Sequence, residues 1–419
     1  MSIITKIFKK IEYCLELYLR YYIKIKNIFY LLSANISSVI FGLLLSISLT
    51  RFLSKEVYGL YSYIMSILGI LTIFTLPGMN TAIVQAVAKG YDGVFIKGTK
   101  ERLKWSTISS SILFIMGIYY YVNKSQIIAK CLLFSSFIFP FYQATDTFQA
   151  LLVGKKKFDM LAKYQSIIQV IPTIVIIIII YYLRDLLIVI ATYLVLISIL
   201  KIIFFFKSKK LIKNINIDLT SFSFGRHLTF LGIISIVSHY IDRLIIGTFF
   251  SLKELATYTI ALIFSEQIMI IGSITNTLIF PKLSEMNEHE AYLKLRKFLP
   301  YYLILFTIIC CILILLCPYL IILFYSHKYS DSIVYAQVLL ISTIAAQPAL
   351  ILTRALFPSQ KKVRELYKVR ISRHICELSA LAIFSAFLGV WGIILSKFIS
   401  RLFTTILSIY LFLRLRYKI

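Results

Sequence analysis

Residues 171–185 read "IPTIVIIIIIYYLRD". No charge interrupts the run before Arg184, and isoleucine fills most of it. A buried strand and a membrane helix both tolerate this composition, so length and period decide between them. The apolar character extends over 165–183 with no alternation of period two, which selects a helix. A helix also closes its own backbone hydrogen bonds, as hydrocarbon demands. About 20 apolar residues cross a bilayer core of about 30 Å. Working outward, comparable runs occur near 28–50, 58–86, 105–122, 127–152, 186–206, 228–250, 256–280, 298–320, 333–356, 375–390 and 391–413. The expected fold is all-α and integral to a membrane, with about twelve transmembrane helices.

Composition agrees. Of 419 residues, 59% are apolar and 15% charged, and the mean hydropathy is +0.87. The net charge of +27 would suit a nucleic-acid partner, but its placement argues otherwise. With the N-terminus inside and twelve alternating spans, both termini are cytoplasmic. Of the 45 Lys and Arg residues, 35 then fall inside and 8 outside. That asymmetry is a topological address with affinity for anionic lipid, so membrane lipids and not nucleic acid are the expected partners. Residues 1–27 contain "IEYCLELYLRYYIKIK" and are expected to lie in the interface as a basic segment rather than serve as a cleavable signal. Cys131, Cys310, Cys311 and Cys317 sit in spans as small apolar residues. The five histidines lack ligand spacing, so no metal is expected. No G-x-x-x-x-G-K loop provides for ATP.

The chain reads as doubled. "LTRFLSKEVYGLYS" (49–62) lies on "IGTFFSLKELATYT" (246–259) at an offset of 197, and "QALLVGKKKF" (149–158) on "RALFPSQKKV" (354–363) at 205. Six helices per repeat would relate the halves by an axis along the membrane normal. The expected organisation is a basic segment over 1–27, a first lobe over 28–210 and a second over 211–419, joined by "KSKKLIKNINIDLTSFSFG" (207–225).

"LTRFLSKEVYGLYSYIMSILGI", "SHYIDRLIIGTFFSLKELATYTIA", "LIFPKLSE" and "GVWGIILSKFISR" stand in the order and spacing of Wzx-type polysaccharide flippases, which the chain resembles over about residues 28–413. Those proteins belong to the superfamily of MurJ and the MATE exporters. Ala256 departs from the family's glycine, which Gly59 keeps in the first lobe. The resemblance implies a two-lobe fold in a bacterial cytoplasmic membrane. It implies translocation of undecaprenyl-diphosphate-linked oligosaccharides, for O-antigen, lipopolysaccharide, capsule or another glycan, from the inner to the outer leaflet.

Polar residues inside spans carry the mechanism that sequence can show, since a charge at the bilayer centre costs about 2.5–3.5 kcal/mol on insertion scales. In "IISIVSHYIDRLIIGTFF" (233–250), Ser235, His239 and Asp242 follow helical spacing, with Arg243 four beyond His239. They form an expected polar face, read either as an interfacial anchor or as a cavity wall. In the last span Lys397, Arg401, Thr404 and Ser408 recur at i, i+4, i+7 and i+11. Arg401 and Lys397 are the leading candidates to hold a diphosphate in a cationic central cavity, joined by Arg243, His239 and Arg51. Structural pairing with intramembrane carboxylates is the alternative. Asp146, Glu266, Glu377 and Asp242 can balance those cations or exchange H+ or Na+ as a coupling ion. Pro77 and Gly78 within "LPGMN" (76–80), with Pro140 and Pro348, are candidate hinges.

The expected function is a flippase working by alternating access as a monomer, without enzymatic chemistry or a cofactor, delivering cargo to a polymerase and chain-length proteins. A MATE-like exporter of drugs or other lipids is the alternative on the same fold. A polysaccharide polymerase or ligase is disfavoured by short outer connections.

Overall fold

In a computed structural model, residues 26, 29, 30, 32–123 and 125–416 are described. The expected interfacial segment over 1–27 therefore lies almost wholly outside the described residues. Every regular element among the described residues is helical. The helices are α1 (Leu32–Phe52), α2 (Lys55–Leu71), α3 (Gly78–Ala88), α4 (Gly93–Val122), α5 (Gln126–Ala144), α6 (Thr147–Gly154) and α7 (Phe158–Tyr182). Then follow α8 (Leu186–Lys209), α9 (Thr220–Phe249), α10 (Leu252–Ser284), α11 (Glu288–Tyr325), α12 (Ser332–Ile351), the short α13 (Phe357–Ser359) and α14 (Val363–Arg416).

Ten segments among the described residues are long and apolar enough to cross a membrane. One of them, Val363–Arg414, is 52 residues long. A straight helix of that length would run to about 78 Å at 1.5 Å per residue, well over twice the hydrocarbon thickness. It is broken at Gly389, whose φ of 60° and ψ of −136° are non-helical, so the segment comprises two helices. Large apolar side chains stand on the surface: Ile115 is 65%, Phe137 69%, Leu315 73% and Phe387 82% exposed. Acyl chains are the solvent such side chains fit. This is a multi-pass membrane protein.

The stretch "IPTIVIIIIIYYLRD" forms the second half of α7 and the turn after it. Arg184 takes a positive φ of 50°, and the Asp185 carboxylate accepts from Leu187 N (2.7 Å) and Ile188 N (3.2 Å) to start α8. Ser54 caps α2 by accepting from Val57 N (3.3 Å), and Asn287 caps α11 by accepting from Glu290 N (2.9 Å). Such caps satisfy amides that no preceding turn can.

The chain folds into two compact units. The first holds the described part of Met1–Ser46 together with Phe74–Phe230; the second holds Ile47–Ile73 and Leu231–Ile419. This differs from the expected division at 210/211 in two ways. The linker after α8 belongs to unit 1, and the end of α1 with α2 belongs to unit 2.

In unit 1, buried Asp92 fixes the linker. Its carboxylate accepts from Lys155 Nζ (2.6 Å) and Lys213 N (2.8 Å), while Gly93 N donates to Asn216 O (2.9 Å). Ahead of α9, Asp218 accepts from Thr220 and Ser221, and the Thr220 hydroxyl first, then that of Ser221, holds its carboxyl below the usual range. Small residues let α4 and α5 approach, with Ser106, Ser109, Ser135 and Ser136 buried and the Ser110 hydroxyl donating to Ser136 O. Tyr164 and Phe204 stack at 4.1 Å in the core beside α6 and α7.

Unit 2 is built on α10, α11, α12 and α14, with Tyr292 stacked on Phe412 at 4.4 Å. Helix α2 packs against α10 through Gly59, where an added Cβ would stand 1.9 Å from the Leu252 carbonyl oxygen. The two stretches that match at an offset of 197 thus meet side by side. Tyr63 Oη and Thr248 Oγ1 share a hydrogen bond (2.9 Å), and Lys55 pairs with Asp331 (2.9 Å). The backbone contact at Gly59 leaves no flexible group to yield, so Gly59→Ala is expected to destabilise unit 2 by about 1–3 kcal/mol. Ala256→Gly on the adjoining helix should cost about 1 kcal/mol. Thermal unfolding of the purified protein in detergent compares the two. A Gly59→Ala protein that melts at the parent's temperature would contradict the close approach.

The proline readings divide. At "LPGMN" the helix stops: a 3-10 turn over Thr72–Thr75 and a positive φ of 51° at Leu76 precede Pro77 and α3. Gly78 is docked, its N–H donating to Thr229 Oγ1 (3.0 Å) within unit 1. Helices α5 and α12 run through Pro140 and Pro348, and the irregularity comes later. It takes the form of the Thr145–Asp146 break before α6 and a π-helical turn at Leu352–Leu356.

Candidate functional site

In unit 2 the seventh span does not present one polar face. Asp242 is fully buried, whereas Ser235 and His239 are exposed, and the His239 ring meets Tyr240 edge-on. The inward row is Ser238 and Asp242, four apart on α9. Asp242 Oδ2 accepts from Lys397 Nζ (3.0 Å) and from Tyr258 Oη (2.5 Å). On the other side of the ammonium stands Glu377, at 3.6 Å. His374 Nδ1 lies 3.8 Å from Glu377 and hydrogen-bonds Ser238 Oγ at 3.0 Å. Lys397 is therefore held between two carboxylates, drawn from α9 and from the first half of α14.

Arg243 turns away from Asp242 and pairs with Glu266 of α10 at 2.8 Å. The Glu266 side chain is 42% exposed, the most open of the four intramembrane carboxylates; Asp242 is at 1%, Glu377 at 7% and Asp146 at 25%.

The stripe on the last span exists, but it packs against protein. Arg401 is 8% exposed, and Thr404 and Ser408 are buried. Arg401 Nη1 donates to Ser342 Oγ (2.6 Å), Thr343 Oγ1 (2.9 Å), Ser265 Oγ (3.2 Å) and Leu339 O (3.3 Å). Its Nη2 meets the Met269 sulfur at 3.8 Å. Every one of these acceptors is neutral. The expectation that Arg401 stands open to a diphosphate is thus corrected: α10 and α12 supply a ring of hydroxyls that engages one side of the fork.

Arg51, expected as a cavity cation, caps a helix instead. Its Nε donates to Phe324 O (3.0 Å) and its Nη2 to Leu323 O, carbonyls that the end of α11 leaves unpaired.

Unit 1 holds a second buried polar cluster. Lys201 Nζ lies 3.1 Å from Asp146 Oδ1, donates to Tyr142 O (3.0 Å) and sits 4.5 Å above the Tyr142 ring centroid. Gln149 Nε2 donates to Asp146 (2.7 Å) and Gln165 Nε2 to Gln149 (2.8 Å). Nearby Arg102, 2% exposed, donates to Thr75 O (2.9 Å) and Asn80 Oδ1 (2.7 Å). Each unit thus buries one guanidinium whose described hydrogen-bond acceptors are all neutral. Among the described residues neither Arg102 nor Arg401 has a carboxylate within ion-pair distance.

The sequence matches the polysaccharide biosynthesis protein family over residues 25–287, well over half the chain. The chain belongs to that family. A search among curated proteins found no sequence match. Solved structures share the fold. A lipid II flippase MurJ in an inward closed conformation has a TM-score of 0.64 at 18% identity, with 90% of this chain and 86% of that one covered. A multidrug resistance MATE family transporter of the MOP superfamily, inward-facing, gives 0.62 at 14% identity, covering 90% and 94%. The Vibrio cholerae MATE transporter VcmN gives 0.63 at 12% identity, covering 94% and 96%.

In this polysaccharide biosynthesis protein, Arg102, Lys201 and Tyr258 escaped the sequence reading. The signals were present: Lys201 interrupts "ISILKIIFFF" (197–206), and Arg102 is in helical register with Thr99, Ser106 and Ser109.

Proposed function

We propose that the protein translocates undecaprenyl-diphosphate-linked oligosaccharide repeat units from the cytoplasmic to the outer leaflet by alternating access. The observation that carries this reading is the family match on a fold shared with a lipid II flippase. The charge pattern fits it. Two buried guanidinium groups whose described hydrogen bonds all go to neutral acceptors are cations an acidic headgroup could use and a cationic drug would not. We further propose twelve passes, counting α14 twice and adding the 33-residue α10 to the apolar helices.

No bond is made or broken in this step; the protein supplies a polar route for the headgroup while the prenyl chain stays in lipid. Glu266, the most exposed of the intramembrane carboxylates and bound to Arg243, is the group we place in exchange with H+ or Na+. On the outer side the cargo passes to a polymerase.

Cells lacking the protein are expected to accumulate lipid-linked repeat units accessible only from the cytoplasmic face, and re-expression should clear them. Normal surface glycan in the deletion strain, with increased retention of a cationic dye, would favour the drug-exporter alternative instead.

A further inference from the structure

The π-helical turn Leu352–Leu356 packs against α14 and carries Arg354 at its centre. Short π segments in α-helices recur at functional sites because they redirect a side chain at a cost in helix geometry. Val369 of α14 joins Leu352, Ala355 and Leu356 of the turn in one buried core, which brings this stretch of α14 against it; Arg370 and Arg373 follow Val369, one turn apart, and both act electrostatically on Arg354. Arg354 and Arg370 are exposed, and Arg373 is half-buried with its Nε shut off from solvent and without a hydrogen-bond partner. Among the described residues no carboxylate pairs with any of the three within 4.0 Å. Glu377, one turn beyond Arg373, is held by Lys397 at 3.6 Å. Arg373 in turn acts on Arg401.

These three are gathered where the irregular turn packs on α14; like charges brought together repel, and a bound anion relieves that repulsion, while within the protein Arg373 also acts on the Glu377 carboxylate one turn away. Guanidinium forks match phosphate oxygens two at a time.

We infer that Arg354, Arg370 and Arg373 form an oxyanion site in unit 2, built for a phosphate or diphosphate group, with Arg401 as the next cation beyond it. The inference rests on the translocation reading only in naming the headgroup of a lipid-linked cargo as the natural source; free diphosphate carries the same chemistry.

The full-length protein in phosphatidylcholine nanodiscs tests this by titration calorimetry with inorganic pyrophosphate and with farnesyl diphosphate. R354Q/R370Q/R373Q is expected to weaken binding of both by at least about tenfold, and the single variant R354Q by less. Replacement of all three by lysine should recover part of the affinity, since charge returns without the fork. The pair Arg296→Gln and Lys297→Gln, exposed on α11, should bind as the parent does. Tighter binding of farnesyl diphosphate than of pyrophosphate assigns the site to a lipid headgroup; equal binding assigns it to free diphosphate. Unchanged affinity in both glutamine variants, each monodisperse on gel filtration, overturns the site. Failure of the parent to move a fluorescent prenyl diphosphate across liposomes, with binding intact, would instead sink the translocation reading and leave the site standing.

Discussion

Asp242→Ala is expected to destabilise the protein by about 3–5 kcal/mol and to abolish export. Removing one partner of a buried pair strands the other charge, and that stranded charge dominates the loss. Here Lys397 would keep only Glu377, at 3.6 Å, and the buried Tyr258 hydroxyl would lose its 2.5 Å acceptor. The double variant Asp242→Ala/Lys397→Met separates pair from packing, because it removes both charges and refills the space of the lysine chain. It should recover more than half of the lost stability, while export stays absent. Melting in detergent gives the stability and surface glycan gives the export. Losses in the single variants that simply add in the double would show that the two residues are not coupled, and the cluster would have to be redrawn.

That cluster also shows how far periodicity reaches. Spacing located the seventh and last spans and named Asp242, Glu377 and Lys397 as intramembrane charges, since each interrupts an apolar run. It did not pair them. The side of a helix follows from a 3.6-residue repeat, but the neighbour against that side depends on tertiary packing, which no local pattern encodes. Hence the row Ser235–His239–Asp242 splits, with Asp242 inward and the other two exposed. The break at "LPGMN" was legible because proline and glycine act locally. By contrast, the assignment of Ile47–Ile73 to unit 2 was not, since it rests on the approach of Gly59 to Leu252 across nearly 200 residues of chain. Arg51 misled for a related reason: a cation near a helix end serves a cavity or a neighbour's carbonyls equally well, and only the position of α11 distinguishes them.

Arg401→Met is expected to leave stability unchanged or to raise it slightly, and to abolish export. The hydroxyls around the guanidinium do not need it as a donor. Ser342 Oγ donates to Leu339 O (2.7 Å), Thr343 Oγ1 donates to the same carbonyl (2.8 Å), and Ser265 shares a hydrogen bond with Thr343 (2.8 Å). Deleting the arginine therefore orphans no polar hydrogen, and it relieves a buried charge whose described contacts offer dipoles and a thioether rather than a carboxylate. Apolar replacement of buried charge is often neutral or stabilising. A protein that retains such a charge against its own stability keeps it for work, and an intramembrane cation has few uses other than holding an anion or moving with one. Arg401→Lys tests the geometry: a single ammonium cannot reproduce the planar donor set that reaches α10 and α12, so little export should return. If Arg401→Met instead melts several degrees lower and export falls only in proportion to folded protein, Arg401 is a bolt between α10, α12 and α14. In that case any cation of unit 2 that meets the headgroup must be another one.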